Sequence, residues 1–218
     1  MKRFWHNNGL SIVFFLMFLF SWGAQAITGW KVHNQDVSEN GGKKTSFIAY
    51  LTTGHFVEAT FENWESEFLQ SATFIAFAAF LYQKGSSESK DPDKKEEVDK
   101  EPDPNKKDAP KVVHRGGLVL SLYKNSLSII FFSLFVLCFV LHWYGSMRHY
   151  NEEQALKQLP TQNMWQYAGN VKLWFESFQN WQSEFLSVFC MIVFSIVFRQ
   201  KSSPQSKPVD APDHQTGK

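Results

Sequence analysis

The sequence is poor in the residues that staple small domains and in the motifs that carry chemistry. Two cysteines occur in 218 residues, Cys138 and Cys190, each inside an apolar run and neither in a C-x-x-C or Cys/His cluster. A disulfide framework and a thiolate metal centre are excluded, and each cysteine reads as a small hydrophobe. No G-x-S-x-G, H-E-x-x-H, P-loop or G-x-G-x-x-G is present, so the common nucleophile, zinc and phosphate constellations have no place in the chain. The seven histidines (His6, His33, His55, His114, His142, His149 and His214) are scattered without ligand spacing. No metal or other cofactor is expected, and the chain reads as no enzyme. A net charge of +1 gives no electrostatic case for binding nucleic acid.

The more informative absence is local. Charge is almost missing from four stretches, Leu10–Ile27, Phe68–Tyr82, Leu127–Tyr144 and Phe185–Phe198, in and around which the 22 Phe and eight Trp gather. It is concentrated instead between Gln83 and Gly117, which holds nine of the 22 Lys and Arg and nine of the 21 acids. A soluble core mixes apolar and polar positions at helical or strand period. Uncharged Phe-rich blocks separated by polar segments point to a bilayer as solvent.

The first and third stretches have the length that crosses a hydrocarbon core as a helix; the second and fourth fall short. An internal repeat decides between a buried and a spanning reading. Displacing the chain by 117 positions lays Asn8, Leu10, Ser11, Ile12, Phe14, Phe15 and Phe18 on Asn125, Leu127, Ser128, Ile129, Phe131, Phe132 and Phe135. The same register lays FENWESEFL at Phe61–Leu69 on FQNWQSEFL at Phe178–Leu186, and Gln83-Lys84 on Gln200-Lys201. One register fitting both helical regions across unlike loops indicates tandem duplication. Lys2-Arg3, the apolar run and Ala24-Gln25-Ala26 resemble a secretory signal peptide. The mid-chain copy of the same run favours a retained first helix.

The expected fold is an all-α membrane protein with four transmembrane helices in two tandem, same-orientation helix–loop–helix repeats. Residues 1–86 form the first unit, with helices at about 10–28 and 64–82. Residues 118–201 form the second, with helices at about 126–144 and 181–199. The charged linker 87–117 and the tail 202–218 have little to bury and are expected to be disordered. Lys2, Arg3, Lys84, Lys124, Arg199 and Lys201 flank the helices on one side, which places both termini and the linker in the cytoplasm.

The repeated F-x-N-W-x-S-E-F-L is the most specific feature. Asn63 and Asn180 are suited to cap helices that start just after them. Trp64 and Trp181 then fall in the outer aromatic belt, and Glu67 and Glu184 in the first turns, where the helix dipole favours a carboxylate. Val57, Phe61, Trp64 and Phe68 form one helical stripe, repeated as Trp174, Phe178, Trp181 and Phe185. A second reading pairs Glu67 with Glu184 across the pseudo-dyad as an ion or proton site, because an acid drawn toward hydrocarbon is costly and defaults to function. Against transport, only Ser71, Thr73, Ser133, Cys138 and Ser195 and an occasional Gln offer polar atoms between the interfaces. Ala72, Ala76 and Ala79 form a small-residue face suited to close helix contact. His142, beside Trp143 and Tyr144, reads as interfacial.

FENWESEFLQ at Phe61–Gln70, preceded by Gly54-His55-Phe56 and followed by Gln83-Lys84-Gly85-Ser86, resembles a family of small bacterial membrane proteins classed as a domain of unknown function. Asn8-Gly9-Leu10-Ser11 is similar too. The resemblance implies a bacterial inner-membrane setting and supplies no activity. The expected role is structural or interaction-type, with the lipid bilayer, a second copy or another membrane protein as partner. Ion or proton handling is the alternative, and a membrane-bound enzyme the remoter one.

Overall fold

The computed structural model describes residues 2–217. Regular structure among them is helical: α1 (Lys2–Glu39), α2 (Phe47–Tyr50), α3 (Gly54–Ala78), α4 (Lys111–Arg115), α5 (Gly117–Lys124), α6 (Ser126–Leu156), α7 (Met164–Tyr167) and α8 (Val171–Val197), with a 3₁₀ turn at Glu97–Asp99.

Among the described residues three helices, α1, α6 and α8, are long and apolar enough to cross a membrane, where the sequence predicts four. The exception is α3, which carries Glu58, Glu62, Glu65 and Glu67 and whose last residue is Ala78. Its acids leave no uncharged stretch of spanning length, although 25 residues extend about 37 Å. The predicted helix starts at Trp64 and Trp181 also move. α3 and α8 begin ten residues earlier, at Gly54 and Val171, so Asn63 and Asn180 lie in helix interiors and cap nothing. The aromatic stripe explains this: Val57 and Phe61, like Trp174 and Phe178, continue the i, i+4, i+7 pattern upstream, and a long apolar face outweighs one cap residue. α6 runs to Leu156, well past Tyr144, and α1 is 38 residues long.

The apolar windows of the three long helices are at most 11% buried. Phe14, Phe20, Phe132 and Phe189 are each more than half exposed. Exposure of large apolar side chains along each of these helices is consistent with helices that could cross a membrane.

The chain divides into two compact units, one from Met1–Phe61 with Val140–Leu173 and one from Glu62–Phe139 with Trp174–Lys218. In the first unit the loops carry paired features 117 positions apart that their sequences conceal. Asn34 Nδ2 donates to the Thr45 carbonyl at 2.9 Å, and Asn34 Oδ1 accepts from the Thr45 N–H at 2.7 Å. Asn151 makes the same two bonds to Gln162, both at 2.8 Å. Ser46 caps α2 through the Ala49 N–H at 3.3 Å, and Asn163 caps α7 through the Gln166 N–H at 2.9 Å. Both short helices end on a buried tyrosine, Tyr50 and Tyr167. Each satisfies backbone groups that an irregular loop would leave open.

In the second unit the segments expected to be disordered take a definite course. The Gln83 N–H donates to Ser89 Oγ at 2.8 Å and the Lys90 ammonium donates to the Ala79 carbonyl at 2.8 Å, past the end of α3. After α8, Gln200 N–H donates to Ser206 Oγ at 2.9 Å and Lys207 to the Ile196 carbonyl at 3.1 Å. A lysine folded back onto the last carbonyls of a helix both satisfies open acceptors and complements the dipole. Lys207 also donates to the carbonyls of Gly85, Asp213 and Gln215, at 2.6, 2.9 and 3.0 Å. Composition conceals this, because the contacts are made by backbone carbonyls, hydroxyls and ion pairs such as Lys90–Asp99 and Arg199–Asp213. Cys138 and Cys190 are both free thiols.

Candidate functional site

Within the second unit, the residues singled out from the repeated motif take different positions. Glu67 and Asn63 are exposed, while Glu184 and Trp64 are half-buried. Glu67 is near enough for its charge to act on Glu184. Asn180 and Trp181 instead serve two other acids. Asn180 Nδ2 donates to Glu62 Oε1 at 2.6 Å and to its own helix at the Glu176 carbonyl at 3.1 Å. Trp181 Nε1 donates to Glu65 Oε1 at 3.2 Å, and its ring meets Phe178 and Phe135 edge-on with centroids at 5.4 and 6.2 Å. Glu65 is wholly buried. Of the motif's acids on α3, Glu65 is buried, Glu62 half-buried and Glu67 exposed, and the first two are the ones that become Gln182 and Gln179 in the other half.

A richer polar centre lies in the first unit, built from residues far apart in sequence. Glycines make it possible. Gly54 opens α3 directly against the backbone of Arg148 and His149, and Gly145 of α6 lies against the backbone of Val57 and Glu58; a Cβ at either would overlap main-chain atoms. This close approach delivers Glu58, 6% exposed, to two bases. His149 Nδ1 bonds one carboxylate oxygen, and Lys172 Nζ lies 3.0 Å from the other. The second nitrogen of His149 is 3.3 Å from Glu153. Arg148 donates to the Thr52 carbonyl at 2.8 Å and reaches Glu152 at 3.3 Å, and Glu152 accepts the Gly54 N–H. A buried carboxylate requires such partners, since desolvation otherwise drives it neutral.

Three imidazoles continue the centre. The His55 ring lies 5.4 Å from that of His33 and 5.0 Å from that of His149. Tyr50 Oη is 3.0 Å from His55 Nδ1. Burial pushes the Tyr50 phenol up to about 12. Burial first, then the charges of His149, His33 and Lys172, push His55 down to about 4. The Tyr50 hydroxyl is thus the donor and His55 Nδ1 the acceptor. A cleft of about 190 Å³ opens beside this row, lined among others by His33, Asp36, Asn40, His149 and Glu153. Among the described residues no group of three or more His, Cys, Asp or Glu is set to hold a metal ion. What the arrangement can do is bind and release protons. His142, read as interfacial, is completely buried elsewhere in this unit.

Sequence inspection passes over Glu58, His33, His55, His149 and Lys172 because no spacing links them. A signal was present in the repeat register. His33, His55 and Glu58 fall on Tyr150, Lys172 and Phe175, so the halves diverge in titratable residues at these positions while Asn34 and Tyr50 keep their counterparts Asn151 and Tyr167.

Over residues 1–218 the chain matches the family described as Domain of unknown function (DUF6766), and it belongs to that family. No curated protein matches it, and no solved structure does.

Proposed function

We propose that the chain is a multi-pass integral membrane protein of the bacterial inner membrane that acts without catalysis, as a structural or interaction component. Four crossings, α1, α3, α6 and α8, make two tandem units of the same orientation, with both termini and the 87–117 segment cytoplasmic. The observation that carries this reading is the outward-facing apolar surface of α1, α6 and α8, which only lipid or another apolar helix can cover. The fourth crossing rests on α3 having partners for its acids, Glu58 with Lys172 and Glu65 with Trp181. The bilayer is the first partner, and a second copy or another membrane protein the next.

Reporter fusions at Lys100 and after Lys201 should lie on one face, and fusions at Lys43 and Lys157 on the opposite one. Placement of Lys100 and Lys43 on the same face would overturn the topology, as would a chain that stays monodisperse without detergent.

The electrostatic contact between Glu67 and Glu184 favours one second reading, ion or proton handling. In liposomes with a flux readout, the double variant Glu67→Gln, Glu184→Gln should abolish a conductance under that reading. Under the structural reading neither protein conducts.

A further inference from the structure

His55 stands at the start of α3 with ionisable groups on every element packed around it. α1 brings His33 and, nearby, Asp36; α2 brings Tyr50; α6 brings Arg148, His149, Glu152 and Glu153; α8 brings Lys172; and Glu58 follows on α3 itself. The carboxylate of Glu58 is already engaged by His149 and Lys172. A proton on His55 therefore meets a second imidazole at 5.4 Å, a third at 5.0 Å and an ammonium, and it reverses the Tyr50 bond, so that the phenol oxygen has to turn and accept where it donated.

We propose that His55 is an acid-sensing site. Neutral, it accepts the Tyr50 hydroxyl and clasps α2 and the turn at 51–53 against α3 and α6; protonated, it releases that segment. The cleft lined by His33, Asp36, Asn40, His149 and Glu153 admits water and protons to the row.

The other half of the chain offers a comparison. Tyr167, which ends α7 as Tyr50 ends α2, shares its hydrogen bond with Ser146 at 2.8 Å, a hydroxyl that does not titrate. Lys172 stands at the register of His55. Tyr50 thus meets an imidazole at 3.0 Å where Tyr167 meets a hydroxyl at 2.8 Å.

The direction of the effect follows from linkage. His55 sits at about 4 in the clasped state and near 6.5 once released. Between those values the released state holds the extra proton, so the clasp strengthens as pH rises and is lost as pH falls. At pH 5 the full shift gives about a 30-fold change in the opening equilibrium, and partial solvent access reduces this to roughly tenfold.

Hydrogen exchange of the full chain in lipid nanodiscs, corrected for intrinsic rates, tests this at about pH 7.5 and about pH 5. Segment 46–56 should lose roughly tenfold protection on acidification while segment 163–171, around α7, keeps its own. In His55→Gln the loss at 46–56 should vanish. Unchanged protection at 46–56 in the wild type overturns the proposal, as does an equal loss in both segments or an acid loss that persists in His55→Gln. Should that variant fail to fold, the comparison of the two wild-type segments still decides. None of these outcomes depends on which way the helices cross the bilayer.

Discussion

Removing the Glu58 carboxylate should be among the most destabilising single side-chain deletions in the chain. Glu58→Ala takes from Lys172 and His149 the carboxylate that they share, in a place where Glu58 itself is nearly sealed from solvent. Breaking one side of a buried pair costs about 3–5 kcal/mol. The Lys172 side chain is 34% exposed, so water recovers part of its charge and the expectation falls to roughly 2–3 kcal/mol. In a chain of this length that lowers the thermal midpoint by roughly 5–10 °C, readable by tryptophan fluorescence in detergent. A double-mutant cycle isolates the cause. Lys172→Ala should cost at least about 1 kcal/mol less in the Glu58→Ala background than in the wild type. Additive effects of the two changes would show that the pair contributes nothing as a pair.

The same carboxylate marks the limit of what could be read from the chain. The apolar helices were legible because lipid leaves a long, contiguous record: α1, α6 and α8 are spelled out by uncharged Phe-rich runs. The exact extent of α3 and α8 was half legible. Val57, Phe61, Trp64 and Phe68 already formed a helical stripe, yet Asn63 in its midst looked like a start signal, and packing of the stripe overrode the local preference. The polar centre was legible only as a divergence between the halves at His33, His55 and Glu58. Glu58, His149 and Lys172 meet because three helices converge, and their separations along the chain obey no motif. Glu67 and Glu184 drew attention because both halves keep the acid there, but agreement between halves also follows from exposure, where nothing demands a change. Divergence was the better guide. Glu62 and Glu65 differ between halves and are the pair that Asn180 and Trp181 engage. The loops taught the converse: Asn34 and Asn151 hold equivalent turns with little sequence around them to announce it.

The convergence itself depends on two residues without side chains, and they yield the second large effect. Gly54 and Gly145 lie where α3 and α6 touch main chain to main chain. The nearest atoms to a Cβ at Gly54 are the His149 nitrogen, the Arg148 carbonyl carbon and the Arg148 Cβ; at Gly145 they include the Glu58 nitrogen and the Val57 carbonyl carbon at 2.9 Å. Backbone cannot rotate away as a flexible side chain would, so relief requires the helices to separate. Overpacking of this kind costs about 1–3 kcal/mol, to which the loosening of the Glu58 centre adds. Gly145→Ala should therefore lower the thermal midpoint although alanine is the better helix former by about 1 kcal/mol, and Gly145→Val should lower it further. Gly23, on α1 with open space around its Cβ position, is the control. Gly23→Ala should leave the midpoint unchanged or raise it. If Gly145→Ala behaved like Gly23→Ala, the helices would not be in backbone contact, and Glu58 could not reach His149 and Lys172 together. The sign of that one comparison separates a centre assembled by close helix approach from side chains that merely lie near each other.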